Sequence, residues 1–300
     1  MSQPSILTLT GNLLAERTQD FAAWTEGRTQ RARTESFQVG GKGINVSKML
    51  HRLGAPTTAL CFVGGASGAE CDAWLKARPF PVRSFAASGA TRVGLVVRAP
   101  GRPETTFLGP DVPPDAAALR ACVDWLGTQH DGQILALCGS LPGWADAAFE
   151  PLRAALVAWQ RRGILAVDSY GPPLAWFADQ PVDLVKINAT ELRTLFPDSA
   201  EDSPLPALLA EAARRWPVRQ WIVTDGPAPA WHCEHLGQPA AVVPPQVTEV
   251  SATGSGDVLF ACVLDGRYRH RRSLGEALAA AMPYAAANAA HPGIAEFPEP

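Results

Sequence analysis

QILALCG (133–139) is a short apolar run that leads into WADAAFEPLRAALVAWQRR (144–162), whose apolar residues recur at helical spacing. GILAVDS (163–169), VDLVKIN (182–188) and RQWIVTDG (219–226) repeat the strand pattern, with NATELRTLF (188–196) and LPALLAEAARRW (205–216) among the intervening helices. Continuous apolar strands alternating with helices mark a parallel sheet covered on both faces. Connections of this length also satisfy the right-handed crossover rule. The expectation is a doubly wound α/β core.

Two regions depart from that rhythm. Residues 8–39 are polar and rich in Thr and Arg, and 88–110 (SGATRVGLVVRAPGRPETTFLGP) alternates as exposed antiparallel strands do. They are expected to form a small sheet standing off the main one. SLGEALAAAMPYAAANAA (273–290) is an Ala-rich helical signal interrupted by Pro283, which predicts a kink or two helices. No repeat, low-complexity tract or linker divides the chain, so 1–300 reads as one domain.

Composition narrows the function. The 300 residues are 47% hydrophobic and 18% charged, with 26 Lys+Arg against 29 Asp+Glu and a net charge of −3. Nucleic-acid binding needs a basic face to neutralise phosphates, and this balance argues against it. The basic cluster RYRHRRS (267–273) reads as a solvated surface turn. The six cysteines form no C-x-x-C and sit mostly in apolar runs, as buried thiols in a reducing compartment do. The N-terminal MSQPSILTLTGNLL lacks the positive start of a signal peptide, and no uncharged apolar run reaches the roughly 20 residues of a membrane span. The expectation is a cytoplasmic protein with no membrane and no nucleic-acid partner.

In open α/β sheets ligands collect beyond the carboxyl ends of the strands. Gly139-Ser140, Asp168-Ser169, Asn188 with Glu191, and Thr224-Asp225-Gly226 each follow one of the four strands above, suggesting one shared crevice. In VSATGSGDVLF (250–260), Gly254, Ser255 and Gly256 stand directly before Asp257 and an apolar run. Small residues at a helix start bare backbone N–H groups that favour a phosphate, and an aspartate there can take a proton from a nucleophile. VGGKGINVSKMLHRLG (39–54) opens an amphipathic helix with paired glycines, a positive charge at Lys42 and the bifunctional amide of Asn45. It does not fit the Walker A pattern. Thr224-Asp225-Gly226 taken alone is a plain turn, and Asp168 either supports a phosphate site or caps the next helix.

Together with VKINATEL (185–192), CGSLPG (138–143) and VDSYG (167–171), these stretches make the chain resemble the ribokinase/PfkB superfamily of sugar kinases over essentially its whole length. The resemblance is strongest to the branch holding 1-phosphofructokinase and tagatose-6-phosphate kinase. It implies a ribokinase-like three-layer α/β/α sandwich with a mostly parallel central sheet and a β-sheet lid from about 8–39 and 88–110. It also implies ATP and Mg²⁺, with the γ-phosphoryl group passing to a sugar hydroxyl. Asp257 would be the general base, and Gly254, Ser255 and Gly256 the anion hole. Asn188 and Glu191 match the N-x-x-E element that arranges Mg²⁺ through water. Lys186, Asn188, Thr224 and Gly226 would meet the nucleotide. Glu16, Gly40, Gly41, Lys42, Asn45 and Ser140 would face the sugar, and Arg92 matches the arginine that holds the acceptor's existing phosphate. Relatives often dimerise through the lid, so the resemblance leaves a lid-mediated homodimer open.

The match frays on the acceptor side. The Asn of the family's TR-x-N is Gly94, the lysine expected two residues later is Val96, and the aspartate of NPALD becomes Glu16. PETTFLGP (103–110) replaces TEFNEPGP, putting Phe107 and Leu108 where Glu and Pro are usual. Sites that hydrogen-bond their ligands discriminate strongly, so lost partners change which ligand fits. The leading expectation is an ATP-dependent kinase of a phosphorylated ketohexose such as fructose 1-phosphate, fructose 6-phosphate or tagatose 6-phosphate. The alternatives are a kinase of an unphosphorylated sugar or nucleoside-like alcohol, or a non-catalytic sugar-phosphate sensor. An intact GSGD and N-x-x-E speak against the sensor.

Overall fold

The computed structural model describes residues 4–200 and 202–300; Met1–Gln3, the start of the segment read for a signal peptide, lie outside them. In chain order the elements are β1 (Ile6–Thr10), β2 (Leu14–Asp20), β3 (Thr34–Gly40), α1 (Lys42–Arg52), β4 (Thr57–Val63), α2 (Gly65–Lys76), β5 (Val82–Ala86), β6 (Arg92–Arg98), β7 (Thr105–Leu108), α3 (Ala116–Gly127), β8 (Ile134–Cys138), α4 (Glu150–Trp159), β9 (Ile164–Asp168), α5 (Pro172–Ala178), β10 (Leu184–Asn188), α6 (Ala189–Thr194), α7 (Leu205–Arg215), β11 (Gln220–Asp225), β12 (Ala228–Glu234), β13 (Ala240–Val242), α8 (Ser255–Leu264) and α9 (Leu274–Ala289). Among the described residues nine strands form the main sheet, ordered β13-β12-β11-β10-β9-β8-β1-β4-β5, and four form the lid, ordered β3-β2-β6-β7.

From β11 to β5 every neighbouring pair in the main sheet is parallel, while β12 and β13 add an antiparallel edge. Strand alternation splits the core. In β8, Leu135 and Leu137 pack with α3, α4, α5 and α7, whereas Ile134, Ala136 and Cys138 pack with α1, α8 and α9. Two helical layers on one sheet give the α/β/α sandwich. The chain order reverses at β1, which lies between β4 and β8. That is the topological switch point at which open sheets bind ligands.

Two expectations need adjusting. Thr8–Thr10 belong to β1 in the main sheet, where all five residues are buried, so the lid strands begin only at Leu14. A single helix, α9, runs through Pro283 without dividing. Tertiary packing supplies most helical stability in proteins, and α9 is held along its buried Leu274, Ala277, Leu278, Ala281 and Met282 face, which offsets the hydrogen bond that proline cannot make.

The lid is anchored at both ends. Arg17 on β2 donates twice to Glu70 on α2, each at 2.9 Å. Arg98 on β6 donates to Glu104 at 2.6 Å and to the Pro292 carbonyl at 3.3 Å. All six cysteines are buried and free. The cluster at 267–273 is tied down: Arg267 donates to Gln220, and Arg269 and His270 pair with Asp265. No helix among the described residues is long and apolar enough to cross a membrane.

Candidate active site

The loop before α8 turns on Gly254, whose φ of 77° lies in the left-handed region. A Cβ there would also sit 2.6 Å from Ile294 Cγ2, and one on Gly256 would sit 2.8 Å from Lys186 Nζ. Gly254 is therefore required by conformation and by space, while a methyl at 256 would have to push aside the Lys186 ammonium that Asp168 holds. The Ser255 N–H turns back onto the Ala252 carbonyl at 3.2 Å, while no hydrogen bond is found for the Gly254 or Gly256 N–H among the described residues. Of the three expected anion-hole donors, these two are open. They stand at the start of a ten-residue helix whose positive end favours anions.

Asp257 lies in the first turn of α8 and is only 6% exposed. Burial is the main force on its carboxyl and, reinforced by Asp168, pushes its pKa up to about 6; Lys42, the Asn45 bond and Lys186 oppose the rise. A carboxylate tuned toward neutrality is suited to taking a proton at physiological pH. Asn45 Nδ2 donates to Asp257 Oδ2 at 2.8 Å, so this amide orients the base instead of reaching only toward a sugar. Its Oδ1 is buried without a partner among the described residues, as is the nearby Thr10 Oγ1.

Beneath the loop lies a charged cluster. Asp168 is fully buried, with Lys42 Nζ 2.6 Å from one carboxylate oxygen and Lys186 Nζ 2.7 Å from the other. Burial alone would raise this carboxyl, but Lys186 and Lys42 outweigh it and hold the group below its ordinary value. Burial likewise opposes the charge on Lys42, yet Asp168, Asp257 and Glu191 together hold the ammonium well above its ordinary value. Asp168 thus neither caps a helix nor stands alone: it braces two lysines. The cap position of α5 is Gly171. Lys42 and Lys186 thus bring two cations close to the open N–H groups, with Asp168 between them and Asp257 and Glu191 also acting on Lys42. Lys186, expected at the nucleotide, is 4% exposed and lies under Gly256 instead of lining an open surface.

On one side of this centre a cavity of about 240 Å³ runs between Thr224, Gly226, Ser255, Gly256, Leu259 and Met282. Gly226 makes the β11–β12 turn at φ 55°; Thr224 and Asp225 are the last residues of β11, and Thr224 and Gly226 wall the cavity. Asn188 and Glu191 form a capping box on α6: Asn188 Oδ1 accepts from the Glu191 N–H and Glu191 Oε2 accepts from the Asn188 N–H, both at 2.8 Å. Glu191 Oε1 stays turned toward Lys42 Nζ at 3.9 Å. One oxygen secures the helix and the other faces the charged cluster.

On the other side lies the switch point. Asn12, just past β1, donates through Nδ2 to Ser140 Oγ at 2.9 Å and to Asp111 Oδ1 at 2.8 Å. Arg92 Nη1 donates to the same Asp111 oxygen at 2.9 Å. Gly41, with φ 128°, leaves no room for a side chain, since a Cβ would lie 2.7 Å from Thr10 Cγ2. Gly40 ends β3 opposite Leu14, and Glu16 on β2 accepts from Gln38 across the pair, with Gly40 close by. Lys42, Asn45 and Ser140 thus gather with Asp257 or the switch point, while Glu16 sits out on the lid.

Asn12, Asp111 and the bracing role of Asp168 were not read from the sequence as site features. Asn12 opens the NLLAE stretch set against NPALD, a signal that pointed to it. Asp111 had none, because its partners are 19 and 99 residues away. Tyr170, 41% exposed with Lys42 Nζ 5.6 Å from its ring centre, was also missed.

A buried, raised aspartate beneath open N–H donors and paired lysines is equipped for phosphoryl transfer to an alcohol. The family model described as pfkB family carbohydrate kinase matches residues 11–300. The chain belongs to that family. It is an ATP-dependent sugar kinase. Among its relatives, ATP-dependent 6-phosphofructokinase isozyme 2 of Escherichia coli strain K12 is 30% identical over 238 residues, 78% of this chain and 76% of that one. The 1-phosphofructokinase of Bacillus subtilis strain 168 is 27% identical over 192 residues, 64% and 62% of the two chains. The crystal structure of Escherichia coli phosphofructokinase-2 with substrates and products superposes with a TM-score of 0.86 at 24% identity, covering 98% of this chain and 95% of that one. Ribokinase from Thermotoga maritima superposes at 0.73 with 18% identity, covering 98% and 96%. The pfkB-family fold, with its mostly parallel sheet and smaller second sheet, is therefore the one expected.

Proposed function

We propose that this pfkB-family kinase transfers the γ-phosphoryl group of ATP to a hydroxyl of a phosphorylated ketohexose, of the fructose 1-phosphate, fructose 6-phosphate or tagatose 6-phosphate class. The observation that carries the chemistry is Asp257, buried, raised to about 6 and held by Asn45 beside the open Gly254 and Gly256 N–H groups. Asp257 takes the proton of the attacking hydroxyl. The two N–H groups meet charge developing on the transferring group, a contribution on the order of 3–4 kcal/mol per donor in other enzymes. Lys42 and Lys186, fixed by Asp168, add positive charge without needing to reorganise. The nucleotide lies along the cavity by Thr224 and Gly226. The acceptor lies at the switch point with Glu16, Gly40 and Gly41 above it and its existing phosphate on Arg92.

No cluster of three or more His, Cys, Asp or Glu side chains forms a metal cage among the described residues. Mg²⁺ does not need one, because it keeps its waters and binds phosphate oxygens with one or two carboxylates. Glu191 and Asn188 fit that role through water, and a bound Mg²⁺ would neutralise charge shared between the phosphates. The same reading places the protein in the cytoplasm and leaves the lid as the surface for a homodimer.

The Arg92–Asp111 pair favours a second reading, a kinase of unphosphorylated sugars, since the expected phosphate anchor already has an anion. An assay of ADP release with Mg²⁺, pairing each phosphorylated ketohexose with its unphosphorylated form, separates the two. Turnover confined to the phosphorylated members supports the first reading, and turnover confined to free sugars replaces it with the second.

A further inference from the structure

Arg92 and Asp111 are unequal partners. The arginine side chain is 14% exposed and the aspartate side chain 53% exposed. The cation is set into the wall of the switch point; the anion sits on the loop after β7, open to water. One oxygen, Asp111 Oδ1, accepts from both Arg92 Nη1 at 2.9 Å and Asn12 Nδ2 at 2.8 Å. Arg92 Nε is buried without a partner among the described residues, so its fork is only partly used. A phosphate, with several oxygens, can engage such a fork at two points where this carboxylate engages it at one.

We propose that Asp111 is a built-in competitor for the acceptor's anionic group, holding the Arg92–Asn12 donors until a phosphorylated acceptor displaces it. This rests on the reading of Arg92 as the acceptor-phosphate anchor. Displacement sends the Asp111 carboxylate into water, from which it is already half solvated, and leaves both donors to the incoming phosphate. Asp111 thereby weakens anionic acceptors selectively. A neutral acceptor, which does not call on Arg92, is unaffected.

The test compares wild type with Asp111→Asn and Asp111→Ser, the second removing any amide that could still hold Arg92. KM is measured for fructose 6-phosphate, fructose 1-phosphate, tagatose 6-phosphate and the corresponding free sugars, together with inhibition by inorganic phosphate against the acceptor. Losing a half-exposed charge pair of this kind is expected to lower the phosphorylated-acceptor KM and the phosphate inhibition constant about three- to tenfold. The free-sugar KM should move less than about twofold, and the fall should vanish in an Arg92→Ala background. If wild type accepts only free sugars and the variants admit phosphorylated ones, the competitor stands and the phosphosugar reading of the native enzyme falls. If wild type accepts phosphorylated sugars and the variants match it, the competitor is refuted while that reading survives. A KM that rises for phosphorylated acceptors, or shifts equally for both classes, would make Asp111 a brace for Arg92 and overturn the proposal. So would variants that still exclude phosphorylated sugars.

Discussion

The N-terminus of α8 and the mouth between β1 and β8 lie at the same carboxyl edge of the sheet but are built differently. At α8 the decisive groups, Asp257, Asp168 and Lys186, are 6%, 0% and 4% exposed, and each is fixed by a partner on another main-sheet strand or helix. At the mouth the groups are Asn12, Arg92, Asp111 and Ser140, carried by loops and a lid strand, with Asp111 half exposed. Low dielectric and fixed partners make the first region strong and intolerant of change. Water and loop attachment make the second adjustable. The departures from the family pattern noted above, Glu16, Gly94, Val96, Phe107 and Leu108, all fall on the lid that covers the second region. The chemistry is built into the sandwich, and selectivity is carried by what is laid over it.

Substitutions should sort by region. Asp257→Asn is expected to lower kcat by about 10²–10⁴ through loss of the base. Because the folded-state pKa is raised, ionised Asp257 costs stability once pH passes about 6, and that cost is absent below its unfolded value. The asparagine variant should therefore be more stable at pH 8, on the order of 1–2 kcal/mol by denaturant titration, with the gain fading toward pH 4. A variant that is both inactive and destabilised would contradict this.

Gly256→Ala, aimed at the space under the anion hole, is expected to cost about 10²–10³ in kcat, since the new methyl meets Lys186 Nζ and displaces a donor. Lys42→Met leaves Asp168 with one cation; breaking a buried pair costs about 3–5 kcal/mol, which urea unfolding will read. On the acceptor side, Arg92→Ala is expected to raise the phosphorylated-acceptor KM about 30-fold or more, with little effect on nucleotide KM. An equal effect on both substrates would erase the distinction between the two regions. Asn45→Ala is the mildest: it removes a hydrogen bond to ionised Asp257, so the acid limb of kcat should move to higher pH. The same substrates titrate in both enzymes, so the difference between their profiles belongs to the protein.

How much of this could be read beforehand follows from the range of the interactions. Strands β8, β9, β10 and β11 are continuous apolar runs flanked by glycine or polar residues, so they were legible almost to the residue. The α8 helix start was legible because its small residues and its aspartate occupy consecutive positions. The antiparallel edge of β12 and β13 was not, since PAWHCE mixes polar and apolar residues and takes its shape from pairing with β11. Asp168 carried an ambiguous local signal that Lys186 and Lys42, 18 and 126 residues away, resolve together. Asn45 was read toward the sugar because its partner, Asp257, is 212 residues distant. Ser255 was counted as a donor because the turn that consumes its N–H is a matter of geometry, not residue type.

In the proposed function Asp257 is the base, and the binding of ATP does not depend on it. The direct measurement is single-turnover phosphoryl transfer by Asp257→Asn, with ATP affinity determined on the same preparation. With Asp257 as the base, the expected result is ATP binding within about threefold of wild type and transfer slowed at least about a hundredfold. Transfer within tenfold of wild type, with ATP still bound, would remove Asp257 from its role and contradict it.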